Sequence, residues 1–272
     1  MDFDFKHVGV PFRMQPGLSR LPSDGLHLRP LDPASALYRE KLAVSEAGAA
    51  HHVVPGFDPS HALVSIGLQG RKAGIHGLAQ PGYKLELSVA QDLAVLDAAT
   101  GTVPWMCVCV PSGWAPEDKL GLSLAAIHSP VADNQALAAA WPTLMRMAAD
   151  GGHWQRHVWT ISPSPRYDQH PRRRAPLAWP QTGDPSDFAR QCYLRVERQT
   201  LLPVHDTHGQ PKAQAVFTID VMVEALASAV STPAQAQRLH AALLSMSDPV
   251  LVYKNLAPAR APLLQWLSST QG

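Results

Sequence analysis

The chain has almost no charge of either sign to spare: 23 Lys and Arg stand against 22 Asp and Glu, a formal net charge of +1. A protein that grips nucleic acid through its phosphates carries a basic excess, so that class is excluded. Charged residues make up only 17% of the 272, against about a quarter in an average soluble domain. No run of about 18 apolar residues occurs, which excludes a membrane-spanning helix. The three cysteines include no Cys-x-x-Cys, which argues against a zinc ribbon or an iron–sulfur site. Cys107 and Cys109 lie two apart in an apolar run, a spacing that disfavours a mutual disulfide and reads as reduced thiols buried on a strand. No Gly-rich dinucleotide fingerprint is present. The opening residues MDFDFKH lack a charged-then-apolar leader, so a cytoplasmic location is expected.

What is plentiful is proline, 25 residues, and histidine, 13. Prolines interrupt elements. Histidines invite metal, haem or acid–base readings without proving any. The length suggests one or two domains, and 1–32 reads as an irregular arm. From Pro33 a helix is expected, with Asp32 as N-cap. Residues 51–90 carry only short, mixed pieces. Asp92–Asp97 and Val103–Val110 flank the turn Ala98–Gly101 as a hairpin. A helix is expected from Pro116 to His128, because Leu120, Leu124 and Ile127 recur at helical spacing, and a second from Asn134 to Ala149 capped by Asp133. Three strands follow, His153–Ile161, Cys192–Leu202 and Gln214–Val223, with a long loop or insertion at 162–190. Helices near 221–230, 233–246 and 259–269 close the chain, interrupted by Pro249. A hairpin, a helical crossover and a three-strand meander predict an α+β fold: a PAS-like antiparallel sheet with crossover helices and added terminal helices. Residues 33–272 are then one PAS-like domain, its pocket between sheet and crossover suited to a flat ligand.

Several groups could carry chemistry. His128 ends an otherwise apolar stripe, the setting of a haem axial ligand, or equally of a helix-terminal His bonded to the last carbonyls. In Arg195–Thr200 (RVERQT), alternation sends Arg195, Glu197 and Gln199 to one face of a strand and Val196, Arg198 and Thr200 to the other. If that strand is central, buried charge must be paired. Arg195 beside Glu197 would leave a guanidinium edge for an anion; the alternative is an exposed face laced with salt bridges. Gln91 and Asp92 read as capping or turn residues. Trp154, His157, Trp159, Tyr167, Asp168 and His170 could line a pocket or serve as core. His205 and His208 with Asp206 form a weak metal pattern, and His51 and His52 fall in loop-like sequence. Pro171–Arg174 is a short basic run with a solvated default.

Six segments occur together in order: Val89–Leu96 (VAQDLAVL), Pro111–Gly121 (PSGWAPEDKLG), Ile127–Val131 (IHSPV), Arg195–Thr200, Ala215–Ile219 (AVFTI) and Tyr253–Lys254. Each is weak alone. The ordered set resembles the haem-dependent oxidative N-demethylase family, its α-subunit-like proteins, over roughly 20–270. The resemblance implies a PAS-like domain binding haem b (iron). It implies oxidation of a small secondary amine, dimethylamine in the characterised activity, by O₂ to a primary amine and formaldehyde. Flavin and iron–sulfur reductase subunits would supply electrons, with no nucleic acid or membrane involved. By motif position His128 falls on the family's His as expected iron ligand, with His153 and His157 as fallbacks. Arg195 and Glu197 fall on its Arg-x-Glu-Arg-Gln motif, as catalytic residues on the haem and substrate side. Lys119 and Arg198 are expected to contact the cofactor. A cationic amine would want Glu197 or Asp168 nearby. The competing expectations are a haem or small-ligand sensor without catalysis and a haem-free scaffold.

Overall fold

A computed structural model describes all residues except 1–2, 16, 23, 79, 81, 130–142, 144–145, 148–149 and 271–272. Most of the helix expected at 134–149 therefore lies outside the described residues. Seven strands build one sheet: β1 Ser19–Arg20, β2 His51–Val53, β3 Asp92–Asp97, β4 Thr102–Cys107, β5 Trp154–Ser162, β6 Tyr193–His205 and β7 Pro211–Ala225. Their order is β1-β5-β6-β7-β3-β4-β2 and every pairing is antiparallel. The expected α+β class holds, as a helix-bearing open antiparallel sheet.

Local chemistry accounts for the hairpins. After β3, the Asp97 carboxylate accepts from the N–H groups of Ala99 and Thr100, and Gly101 takes φ +72°. A side-chain oxygen and a left-handed glycine are what a tight reversal needs. Between β6 and β7, Asp206 accepts from the N–H groups of His208 and Gln210, and Gly209 takes φ +76°. Asp206 thus shapes a turn. β3 is central and buried on both faces, which is why Leu93–Leu96 is continuously apolar rather than alternating.

Eight described helices flank the sheet: α1 Ala36–Glu46, α2 Ser60–Lys72, α3 Leu124–His128, α4 Pro185–Arg190, α5 Leu226–Ala229, α6 Pro233–Leu244, α7 Asp248–Tyr253 and α8 Arg260–Ser269. Helices α2, α6 and α8 cover one sheet face, while α1 packs on the other, where Leu37 and Val44 meet Ile219 and Val221. Leu239, Leu243, Leu263 and Leu267 of α6 and α8 bury against Trp159, Leu194 and Val196. Ala62 and Ile66 of α2 bury against Leu93, Val95, Trp105 and Leu202. The arm reaches both faces' margins: Phe5 and Val8 join the α6–α8 core, and β1 pairs with β5. No helix is long and apolar enough to cross a membrane among the described residues.

Several expectations need correction. The first helix begins at Ala36, capped by the Ser35 hydroxyl, while Asp32 caps only the preceding turn. The single helix expected over 116–128 is a 3-10 turn at Pro116–Asp118 and the short α3. Gly121 at φ +74° breaks it, and Gly121 and Leu122 pair with Val103 of β4 instead. The helix expected near 221 starts only at Leu226, because Val221 and Val223 stay in β7, opposite Glu197 and Arg195. Pro249 sits in the first turn of α7, where its missing N–H costs nothing. Helix α2 was hidden by its own glycines, Gly67 and Gly70, which depress helix propensity.

Candidate functional site

Residues directly opposite in an antiparallel sheet share a face. Arg195, Glu197 and Gln199 of β6 stand opposite Thr160, Val158 and Arg156 of β5. On the other side they face Val223, Val221 and Ile219 of β7, and Ile219 in turn faces Asp92 of β3. All lie on the face turned away from the α6–α8 core. The crossover covers this face: Trp114, Leu120, Leu124 and Ile127 pack against Ala94, Leu96, Met106 and Leu201. The short helix that ends at His128 thereby sits on the same face as the polar row, packed on its Leu201 end.

That row is one hydrogen-bonded chain. Arg156 Nε donates to Gln199 Oε1 at 2.6 Å, and Gln199 Nε2 donates to Glu197 Oε2 at 2.6 Å. The Ser112 hydroxyl donates to the other Glu197 oxygen, and Arg195 Nε donates to Ser112 Oγ at 2.7 Å. Arg195 is 2% exposed, and its terminal nitrogens donate to the carbonyls of Arg166 and Val110 at 3.1 Å each. The expected side-by-side Arg195–Glu197 pair is therefore bridged by Ser112. Each guanidinium nitrogen has a protein acceptor, so the expected open edge for an anion is engaged. Burial pushes the Arg195 pKa down, against the pull of Glu197 and Asp92.

His128 is half-buried at the end of α3. Its Nδ1 donates to the Leu124 carbonyl at 2.9 Å. A carbonyl only accepts, so Nδ1 carries the proton and Nε2 holds the lone pair of the neutral ring. Burial lowers the pKa of His128 to about 4, helped by the nearby Arg156 and Lys119 charges. The ring is neutral at pH 7, the state in which an imidazole ligates a metal. The Arg156 charge that reaches His128 also belongs to the row ending at Arg195. Trp154, on the same face, keeps its indole N–H buried with no acceptor among the described residues. A polar ligand atom would satisfy it.

The remaining expected residues are placed as follows. Lys119 closes the 3-10 turn, its Nζ 3.4 Å from the Ile127 carbonyl, so it braces the helix of His128. Arg198 points to the opposite face and holds Gln155 Oε1 and the Leu26 carbonyl. His157 is on that face too, stacked on His7 with centroids 4.0 Å apart. His153 accepts or donates through Nδ1 to buried His27, which meets Thr200 and, through it, Thr218. The supposed Trp–His cluster is thus split: Trp154 lies on the crossover face, while His157 and Trp159 lie on the helix-covered one.

The 162–190 stretch is tied to the crossover by charge. Asp168, wholly buried, accepts from Arg173 and the His170 N–H, with Arg174 beside it. His170 meets Glu117, and Arg172 pairs with Glu117 and Asp118. The basic run 172–174 is therefore an internal clamp rather than a solvated tail, and Asp168 is closed to a ligand. Asp92 caps the end of β4 by accepting from the Cys109 and Val110 N–H groups, and pairs with wholly buried Lys41 at 3.0 Å. Gln91 accepts from the Arg29 N–H and donates to Asp220, so only Asp92 takes the expected capping role. Sequence reasoning placed Gln199 on the face of Arg195 and Glu197 but assigned no role to Ser112 or Arg156. Period-two alternation with Trp154 pointed to Arg156. Ser112 had no local signal, because the turn that carries it meets β6 only in three dimensions.

A family model described as haem-dependent oxidative N-demethylase, alpha subunit-like, matches residues 80–264, well over half of the chain. The match begins before β3 and ends within α8, so it takes in the five longer strands, the crossover and the polar row.

Proposed function

Because the chain belongs to the haem-dependent oxidative N-demethylase, alpha subunit-like family, we propose that it is the haem-binding subunit of an enzyme that demethylates a small secondary amine with O₂. The observation that carries this reading is the convergence of His128 and the Arg156–Gln199–Glu197–Ser112–Arg195 row on one face of the sheet. The strand order supports a PAS-like core: β4-β3-β7-β6-β5 places a hairpin beside the last strand of a meander, with the crossover over one face. The donor set fits a haem. His128 offers a neutral nitrogen whose tautomer is set by the Leu124 carbonyl, a common way of orienting a metal-bound imidazole. The unpartnered Trp154 N–H offers a donor to a carboxylate of the cofactor.

Haem b, when bound, supplies the O₂ and oxidation chemistry that converts the N-methyl group to formaldehyde and leaves a primary amine. The chain's own residues do the rest. His128 would hold the iron. Glu197, half-buried and held at both oxygens, draws the ammonium form of the substrate. Asp168 cannot compete, being sealed by its arginines. Arg195 acts through Ser112 as a positioning residue, fixing the carboxylate rather than touching the cofactor. The crossover residues Trp114, Leu120 and Ile127 keep water out. Electrons come from partner subunits carrying flavin and iron–sulfur centres, since the three cysteines here are buried thiols.

Reconstitution with haemin should give a Soret band that is lost in His128→Ala. The wild type, with O₂, reductant and dimethylamine, should release formaldehyde, and Glu197→Gln should abolish that release while the Soret band stays. A wild type with no Soret band overturns the reading. A Soret band without formaldehyde favours a haem sensor instead.

A further inference from the structure

On the far side of the sheet from the His128 row, three unlike ligands meet. His51 on edge strand β2 stands directly opposite Cys107 on β4, and both turn to the helix-covered face. Glu86 comes from the 3-10 turn Leu85–Leu87. His51 Nε2 is 3.0 Å from Glu86 Oε2 and 3.9 Å from Cys107 Sγ. All three ligand atoms lie within 4.8 Å of one another, and no other such trio of His, Cys, Asp or Glu occurs among the described residues. Ligand atoms around a tetrahedral zinc ion stand roughly 3–4 Å apart, so little movement is needed to close the shell.

The setting favours a bound ion. Glu86 and Cys107 are almost fully buried while the His51 side chain is 51% exposed, which leaves one side open to solvent. The Ser45 hydroxyl donates to Glu86 Oε1 at 2.5 Å and orients the carboxylate from outside the trio. The ligands come from three separate segments, so an ion here would fasten the short edge strand to the body of the sheet. A thiolate, an imidazole and a carboxylate together suit zinc better than calcium or magnesium, which take oxygen alone.

We propose that His51, Glu86 and Cys107 form a zinc site with water in the fourth position, separate from the haem site. On binding, the Cys107 thiol proton leaves for solvent as the Sγ–Zn bond forms. The Nε2 proton that faces Glu86 also leaves, and the exposed Nδ1 can take up a proton from water. No oxidation is involved.

The test uses the full chain, loaded with micromolar zinc and dialysed against zinc-free buffer, with zinc and iron counted separately. One zinc per chain is expected in the wild type, and its loss in both Cys107→Ala and His51→Ala. His51→Ala lies on an exposed edge strand and keeps the test valid if the Cys107 variant folds poorly. Cobalt in place of zinc should give a near-ultraviolet thiolate-to-metal band that disappears in Cys107→Ala. A wild type that retains no zinc overturns the proposal. So does equal zinc in the wild type and both variants, which would point to adventitious binding elsewhere. Cobalt binding without the thiolate band overturns it as well. Iron content reports on the haem reading alone, so either proposal can fail without the other.

Discussion

On the helix-covered face, β5 and β6 present Trp159, Ile161, Leu194 and Val196 to the leucines of α6 and α8. On the crossover face, the same two strands present Arg156, Arg195, Glu197 and Gln199 to a cover of loop and the short α3, with α1 packed beside them on β7. The backbone is shared, so the difference lies in side chains and cover alone. Apolar burial of the first kind supplies folding energy in proportion to area. The second kind costs desolvation and is tolerated only because each charge is hydrogen-bonded. The chain thus places its costly groups centrally on one face, with the stable core behind them.

That division can be broken experimentally, and the largest effect is expected at Arg195. Arg195→Ala removes the donor shared by Ser112 and two backbone carbonyls and leaves them buried and unmet. The loss should be about 3–5 kcal/mol in denaturant unfolding, the range for breaking a buried ionic network. A negligible loss would mean the row is not a network at all. Next comes Leu239→Ala, a wholly buried side chain of α6 on the helix-covered face. It should cost about 2–5 kcal/mol while leaving the Soret band of the folded protein unchanged; a shifted band would tie the two faces together.

The smallest effect is expected from acid. Among the buried residues of the helix-covered face is His27, bonded to Thr200 and His153. Burial, with the charges of His153, Arg198 and Lys72, lowers its pKa to about 3. The unfolded chain takes up the proton near the ordinary value of 6.5 and the folded chain does not. Stability is therefore intact above about pH 6.5 and falls progressively as pH drops toward 3. The expected loss between pH 7 and pH 5 is on the order of 1–2 kcal/mol, measured as a fall in unfolding midpoint. His27→Asn should make that slope shallower, with His128, lowered to about 4, keeping a remainder, and an unchanged slope would remove His27 as a contributor.

Much of this was legible locally. The β3–β4 hairpin, the three long strands and the alternation that puts Arg195 and Glu197 on one face all follow from period and turn residues, which act over a few positions. In the structure Thr232 caps α6 and makes a full capping box with Gln235. The helix at 116–128 failed because a pairing with Val103, more than a dozen residues upstream, outweighed helical spacing. Asp168 looked available as a loop carboxylate, but the arginines that close it belong to a clamp whose other half is Glu117 and Asp118.

The sequence by itself determined the α+β class, the succession of the five strands from residue 92 and the chemistry that His128, Arg195 and Glu197 could offer, because hydrophobic period and side-chain type are local properties. The ordered motifs also pointed to the family that the match over 80–264 bears out. Only the tertiary structure decided that Ser112 bridges Arg195 to Glu197, that Arg198 faces away, and that His51, Glu86 and Cys107 meet. Those contacts join residues tens of positions apart, and their distances depend on strand register and on how the crossover docks, which no short stretch of sequence encodes.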